Sequence, residues 1–179
     1  VLNFYYGDRR EHAYNTQVFF LSSRFRNWWH MTISPHSGVT DRIKEEDIHI
    51  FTEKNYRDTY LSKSEKMILT HQFEAMKHNI PDPDLVIYPH TEVDELKTRI
   101  EKRLQKEGKV REGERGLLAD NDTYIEDLNT LYEEFYPRYE GNKLRIESND
   151  WKLVNDDCSI RYDSEEADSL LGIIKQALR

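Results

Sequence analysis

No apolar run in this chain approaches the roughly 18 residues that cross a bilayer, and no signal peptide is recognisable at its front. Direct membrane insertion is therefore not expected. Cysteine is nearly absent: Cys158 alone excludes an intrachain disulfide framework and suits a reducing compartment. Seven glycines and five prolines form no low-complexity tract, no obvious linker and no repeat. Positive charge is in deficit as well. A net charge of -8 and a pI near 5.4 argue against a generic nucleic-acid coat, although a local arginine cluster can still hold a small anion. What remains is a polar chain of 179 residues, 37% hydrophobic and 34% charged, with a mean hydropathy of -0.88. That length suits one domain, 1–179, with a sizeable core.

The stretch AYNTQVFFLSSRF (13–25) reads as the buried side of a long helix, interrupted by Gln17 and Arg24. Seven residues of helix bring these two to nearly the same face, about 10 Å apart along the axis. A buried amide or guanidinium without partners costs several kcal/mol. Either the protein or a flat, polar ligand on that face must satisfy them.

The pattern predicts a helix from about Arg9 to Trp29, a short strand over SGVTDR (37–42) and a helix from Ile43 to about Lys54. An amphipathic helix follows over 61–80, with Leu61, Met67, Ile68, Phe73 and Met76 as buried candidates. After PDPD, the run LVIYPH (85–90) has the continuous apolar character of a buried strand. Further helices are expected over 91–105, about Asp122–Tyr136 and Glu165–Leu178, with a third strand at KLRIES (143–148). Strands separated by helices of this length indicate an α/β domain with a parallel sheet flanked by helices. Three strands are few for such a sheet, so the chain is expected to be the middle and end of a fold whose first part precedes it.

Asp41 and Arg42, in TDRIKEED (40–47), fall at the carboxyl end of an expected parallel strand, where open α/β sheets bind ligands. A carboxylate there can hold Mg²⁺, and an arginine can stabilise a transferring phosphoryl group. The alternative is a strand-to-helix turn with a solvated ion pair. Arg99, Arg103 and Arg111 fall in a helix end and a charged, glycine-punctuated loop. Such arginines either enclose nucleotide phosphates or make helix-spaced surface pairs of little energy. His71 and His78, and Glu45 and His49, have helical spacing but no third convergent ligand for zinc. Cys158 has no histidine near it in sequence to make it a nucleophile, and neither G-x-S-x-G nor G-x-G-x-x-G occurs.

Together these segments resemble the deoxynucleoside kinase family over nearly the whole chain, which implies its P-loop-NTPase-like fold. FYYGDRREHAYNTQVFFLSSRF is similar to the family segment in which a tyrosine, here Tyr6, precedes a helix bearing a glutamine, here Gln17. The resemblance implies that Tyr6 contacts the sugar 3′-hydroxyl, and that Gln17, Arg24 and Asp47 face the base. TDRIKEED resembles the D/E-R-S motif, implying Asp41 near Mg²⁺ and Arg42 near the 5′-hydroxyl and phosphates, with Ile43 where serine is usual. PDPDLVIY is similar to a family strand, and RIEKRLQKEGKVREGERG to its arginine lid, here about 104–118. That implies Arg99, Arg103 and Arg111 as ATP-phosphate contacts, with Arg103 also catalytic, and Glu114 as a carboxylate on the 3′-hydroxyl. IESNDW resembles the turn that holds the adenine of ATP, suggesting Asp150 and Trp151.

The resemblance implies an ATP- and Mg²⁺-dependent kinase of a deoxynucleoside, purine-preferring, active in nucleotide salvage and homodimeric. The family's first strand, its G-x-x-x-x-G-K-[ST] loop and its general-base glutamate precede the tyrosine and have no counterpart in these residues. Residues 1–179 alone are therefore not expected to phosphorylate a substrate or to be stable. The competing expectation is a non-catalytic kinase-fold subunit of a larger complex, as in respiratory complex I. The expected location is cytoplasmic, with mitochondrial as the alternative.

Overall fold

The computed structural model describes residues 5, 7–107, 123–151 and 164–179. Helix α1 (Arg9–Thr32) starts where the Asp8 side chain accepts a hydrogen bond from the Glu11 N–H at 3.0 Å, satisfying one of the free donors of the first turn. Its buried residues, Ala13, Thr16, Gln17, Leu21, Phe25 and Trp28, follow the three-to-four spacing of one helical face, with Thr16 and Gln17 adjacent on it. A π-helical segment (Asp47–Thr52) runs directly into α2 (Glu53–Arg57). Helix α3 (Lys63–Lys77) opens on a capping box, in which the side chains of Ser62 and Glu65 each take a backbone N–H of the other residue. Strand β1 (Val86–His90), α4 (Val93–Glu107), α5 (Tyr124–Arg138), β2 (Lys143–Glu147) and α6 (Glu165–Ala177) complete the order.

The two strands pair in parallel, with Val86 opposite Lys143 and His90 opposite Glu147. The core is a cluster that includes Leu21, Phe25, Trp28, Ile43, Ile48, Leu69 and Phe73, where α1 and α3 pack against each other and against the π-helical segment. One buried cation fastens this cluster to the chain entering β1. Lys44, 2% exposed, donates from Nζ to the carbonyls of Ile80 and Pro81, at 2.9 and 3.4 Å, and to Asp82 Oδ1 at 2.8 Å.

Several expectations are corrected. Residues 37–42 form no strand. A strand needs a ladder partner, and a groove of about 530 Å³ lies here instead, with Val39, Ile43, Val86 and Ile87 among its lining residues. The helix expected from Ile43 begins as a turn and becomes π-helical at Asp47. Among the described residues β1 is covered on one face: Tyr88 stacks on Tyr132 and meets Tyr136 of α5 at a tilt, whereas Ile87 and Pro89 are exposed. On α3, Phe73 is buried, but Met67 and Ile68 are exposed on the face turned away from the core. No helix of the described residues is long and apolar enough to cross a membrane.

Candidate active site

The two polar residues of α1 meet different fates. Gln17 is 5% exposed, and its carbonyl Oε1 is buried with no hydrogen-bond partner among the described residues. An unmet acceptor in that position costs about 1–3 kcal/mol. Arg24, by contrast, is engaged twice: Nε donates to Asp47 Oδ2 at 2.6 Å and Nη1 to the Asp41 carbonyl at 2.9 Å. Asp47 opens the π-helical segment and is 2% exposed. Burial pushes its carboxyl above the usual aspartate range, against the pull of the Arg24 guanidinium. Arg24 and Asp47 are thus brought together at the junction of α1 and the π-helical segment, with Gln17 two turns earlier on the same helix. π-Helical turns of this kind recur at functional sites, because the extra residue per turn re-aims side chains.

Asp41 and Arg42 lie on the exposed turn beside the Arg24–Asp47 pair. Arg42 has φ +71°, a left-handed conformation that costs a residue with a Cβ about 1–2 kcal/mol. Its guanidinium lies 4.2 Å from the centroid of the Phe51 ring. The next residue, Ile43, is buried in the hydrophobic cluster, so at the position where the family pattern has serine this chain uses an apolar anchor. The Ile43 N–H donates to Glu46 Oε1 at 3.1 Å, and Glu46 Oε2 accepts the Tyr132 hydroxyl at 2.5 Å. Burial raises the Glu46 carboxyl, and burial together with the Glu46 charge raises the Tyr132 phenol, keeping it a donor.

Sequence reasoning missed Glu46 and Tyr132. A glutamate three residues after the first buried residue of a helical stretch is half of a capping-box signal, and could have flagged Glu46. Nothing local marks Tyr132, which lies 86 residues away.

At the strand ends the geometry differs. Arg99 on α4 donates to Glu95 at 2.9 Å, to Ser148 Oγ at 3.0 Å and to Asn149 Oδ1 at 2.7 Å, tying that helix to the turn after β2. Asp150 ends a 3₁₀ turn (Ser148–Asp150), and Trp151 beside it is half-buried. His90 Nδ1 lies 2.5 Å from Glu147 Oε2, and Thr91 is hydrogen-bonded to Ser148. Arg103 lies on α4, its side chain outside the described set; Tyr6, Arg111 and Glu114 lie outside the described residues altogether.

Among the described residues, no three histidines, cysteines or carboxylates converge on a metal position. The Asp41 carboxylate is exposed and forms no ion pair with a described residue. A single exposed carboxylate is a donor set that fits Mg²⁺, which keeps several of its waters.

A family model described as deoxynucleoside kinase matches residues 1–169. The deoxyadenosine/deoxycytidine kinase of Bacillus subtilis (strain 168) is 31% identical over 163 residues, covering 87% of this chain and 69% of its own. A solved structure of deoxyadenosine kinase from M. mycoides with bound dATP superposes with a TM-score of 0.69 at 21% identity, covering 96% of this chain and 78% of that one. The parallel sheet with its flanking helices, the α1–π-helix junction and these matches agree: the chain belongs to the deoxynucleoside kinase family.

Proposed function

We propose that the protein transfers the γ-phosphoryl group of ATP to the 5′-hydroxyl of a purine deoxynucleoside, in nucleotide salvage in the cytoplasm. The observation that carries this reading is the unpartnered Gln17 carbonyl, on the same helix as the Arg24 that pairs with Asp47. Gln17 Oε1 accepts from the exocyclic amino group of adenine, and the Gln17 amide donates to a ring nitrogen. Arg24 and Asp47 supply a fixed donor and acceptor to the remaining edge. Asp41 and Arg42 face the reacting end. There the Arg42 guanidinium matches phosphate oxygens, and Asp41 orients the metal-bound phosphates. Mg²⁺, when bound, neutralises charge on the transferring group. Tyr6 and Glu114 hold the sugar 3′-hydroxyl. Arg103 and Arg111, with Asp150 and Trp151, contact ATP; Arg99 joins them by exchanging its Ser148 and Asn149 contacts for phosphate.

The protein acts as a homodimer. In support, α1 and α3 pack together and each leaves large apolar side chains exposed, Phe19 on the first and Met67 and Ile68 on the second.

The test is ATP-dependent phosphorylation of the four deoxynucleosides by the full-length gene product, because residues 1–179 contain no G-x-x-x-x-G-K-[ST] loop. Turnover of deoxyadenosine, with Arg42→Ala reducing kcat on the order of 100-fold, is the expected result. Silence toward all four would overturn the reading in favour of a non-catalytic subunit.

A further inference from the structure

The two peptide groups flanking the Arg42 Cα are each held by a side chain from elsewhere in the fold. On one side the Asp41 carbonyl accepts from Arg24 Nη1 at 2.9 Å. On the other the Ile43 N–H donates to Glu46 Oε1 at 3.1 Å. The two peptide planes can rotate relative to each other only through φ and ψ of Arg42, so fixing both fixes that residue's backbone. It is fixed at φ +71°, where an arginine does not rest unaided. Glu46 is itself immobilised: it is 8% exposed, and its second oxygen takes the Tyr132 hydroxyl at 2.5 Å. The Tyr132 ring stacks on Tyr88 of β1, with centroids 5.8 Å apart and planes within 10°.

We propose that Glu46 and Tyr132 are a positioning pair, holding Arg42 in its left-handed conformation and so aiming its guanidinium at the transferring phosphoryl group. This rests on the reading of Arg42 as a phosphate contact. Neither residue touches a reactant. Glu46 acts on the backbone next to Arg42, and Tyr132 keeps the Glu46 carboxylate in register with the sheet. A buried carboxylate at this place is otherwise a cost, since an apolar residue would fill the same volume without desolvation. Misplacing a charge that stabilises the transition state lowers kcat while leaving nucleoside binding at α1 intact.

The test uses steady-state kinetics of the full-length protein with ATP–Mg²⁺ and deoxyadenosine. Glu46→Ala lowers kcat about 10-fold with KM for the nucleoside within about 2-fold, and Tyr132→Phe lowers it about 3-fold. Glu46→Gln, whose amide oxygen still accepts from the Ile43 N–H, recovers to within about 3-fold of wild type. The deciding measurement is Glu46→Ala in an Arg42→Ala background, where it changes kcat less than about 2-fold because its target is gone. A full 10-fold loss in that background would show that Glu46 acts on folding alone and overturn the proposal. An active enzyme indifferent to Arg42→Ala would overturn it too, leaving the kinase reading in place. Should the wild type phosphorylate none of the deoxynucleosides, the kinase reading fails separately. A crystal structure of Glu46→Ala then decides: Arg42 relaxed to negative φ supports the pair, and Arg42 still at positive φ over Phe51 overturns it.

Discussion

The Glu46 and Asp47 carboxylates are buried and each has few partners, whereas the carboxylates at the strand ends, Glu133 and Glu147, are more exposed and shared. Asp47 relies on Arg24, and Glu46 on Tyr132 and one backbone N–H. At the strand ends Arg145 bridges Glu133 at 2.8 Å and Glu147 at 2.9 Å, and Glu147 also meets His90. The acids respond in opposite directions. Burial raises Glu46 and Asp47, whereas hydrogen bonds from His90 and Arg145 hold Glu147 below the usual glutamate range. The first arrangement fixes geometry and is fragile to the loss of one member. The second spreads attraction over several solvated groups and tolerates such a loss.

The sharpest break of this contrast is Asp47→Ala, which leaves the Arg24 guanidinium, 11% exposed, without its carboxylate. Urea denaturation is expected to show a loss of about 3–5 kcal/mol. A loss under about 1 kcal/mol would place the pair with the surface bridges. Gln17→Leu pulls stability and function apart: removing the unmet carbonyl raises stability by about 1 kcal/mol, while KM for the deoxynucleoside rises about 10-fold. Equal KM values would remove Gln17 from the base site.

Glu46 gives the contrast a pH signature. Its carboxyl is raised above the ordinary 4.5, so its contribution to stability is fully present below that value and is lost as pH climbs through the raised one. Glu46→Gln does not ionise. Denaturation at a series of pH values should show the variant gaining on wild type as pH rises past 4.5, and parallel curves would contradict the assignment. The smallest effect is expected at Arg145→Ala, at most about 1 kcal/mol and shrinking with added salt.

Much of this molecule follows from local chemistry. Asp8 and the Ser62–Glu65 box start their helices as sequence reasoning demands, and β1 and β2 fall within a residue of their apolar runs. Gln17 and Arg24 stand out because polar groups on an apolar stripe need a reason. What was not legible depends on partners distant in sequence. The strand expected at 37–42 has the right residues and no ladder to join. The extra residue per turn from Asp47 leaves no local signature, since Ile48, Ile50 and Thr52 would suit an ordinary helix equally well. Glu46 and Tyr132 read as surface residues until the fold puts one against the other. Of the resemblance-derived site, Arg24 and Asp47 are paired, the Asp41 carbonyl joins Arg24, Gln17 is buried on the same helix, and Arg99 is engaged with the turn after β2.

The three contacts of the Lys44 ammonium carry a consequence for chemical footprinting. An amine-reactive reagent needs a solvent-accessible lysine, and this one is 2% exposed while Ile80, Pro81 and Asp82 take its hydrogen bonds. Exposed lysines such as Lys63 and Lys102 will acylate first. The moment at which Lys44 joins them dates the release of the chain entering β1, making it a built-in clock for the first opening of the fold.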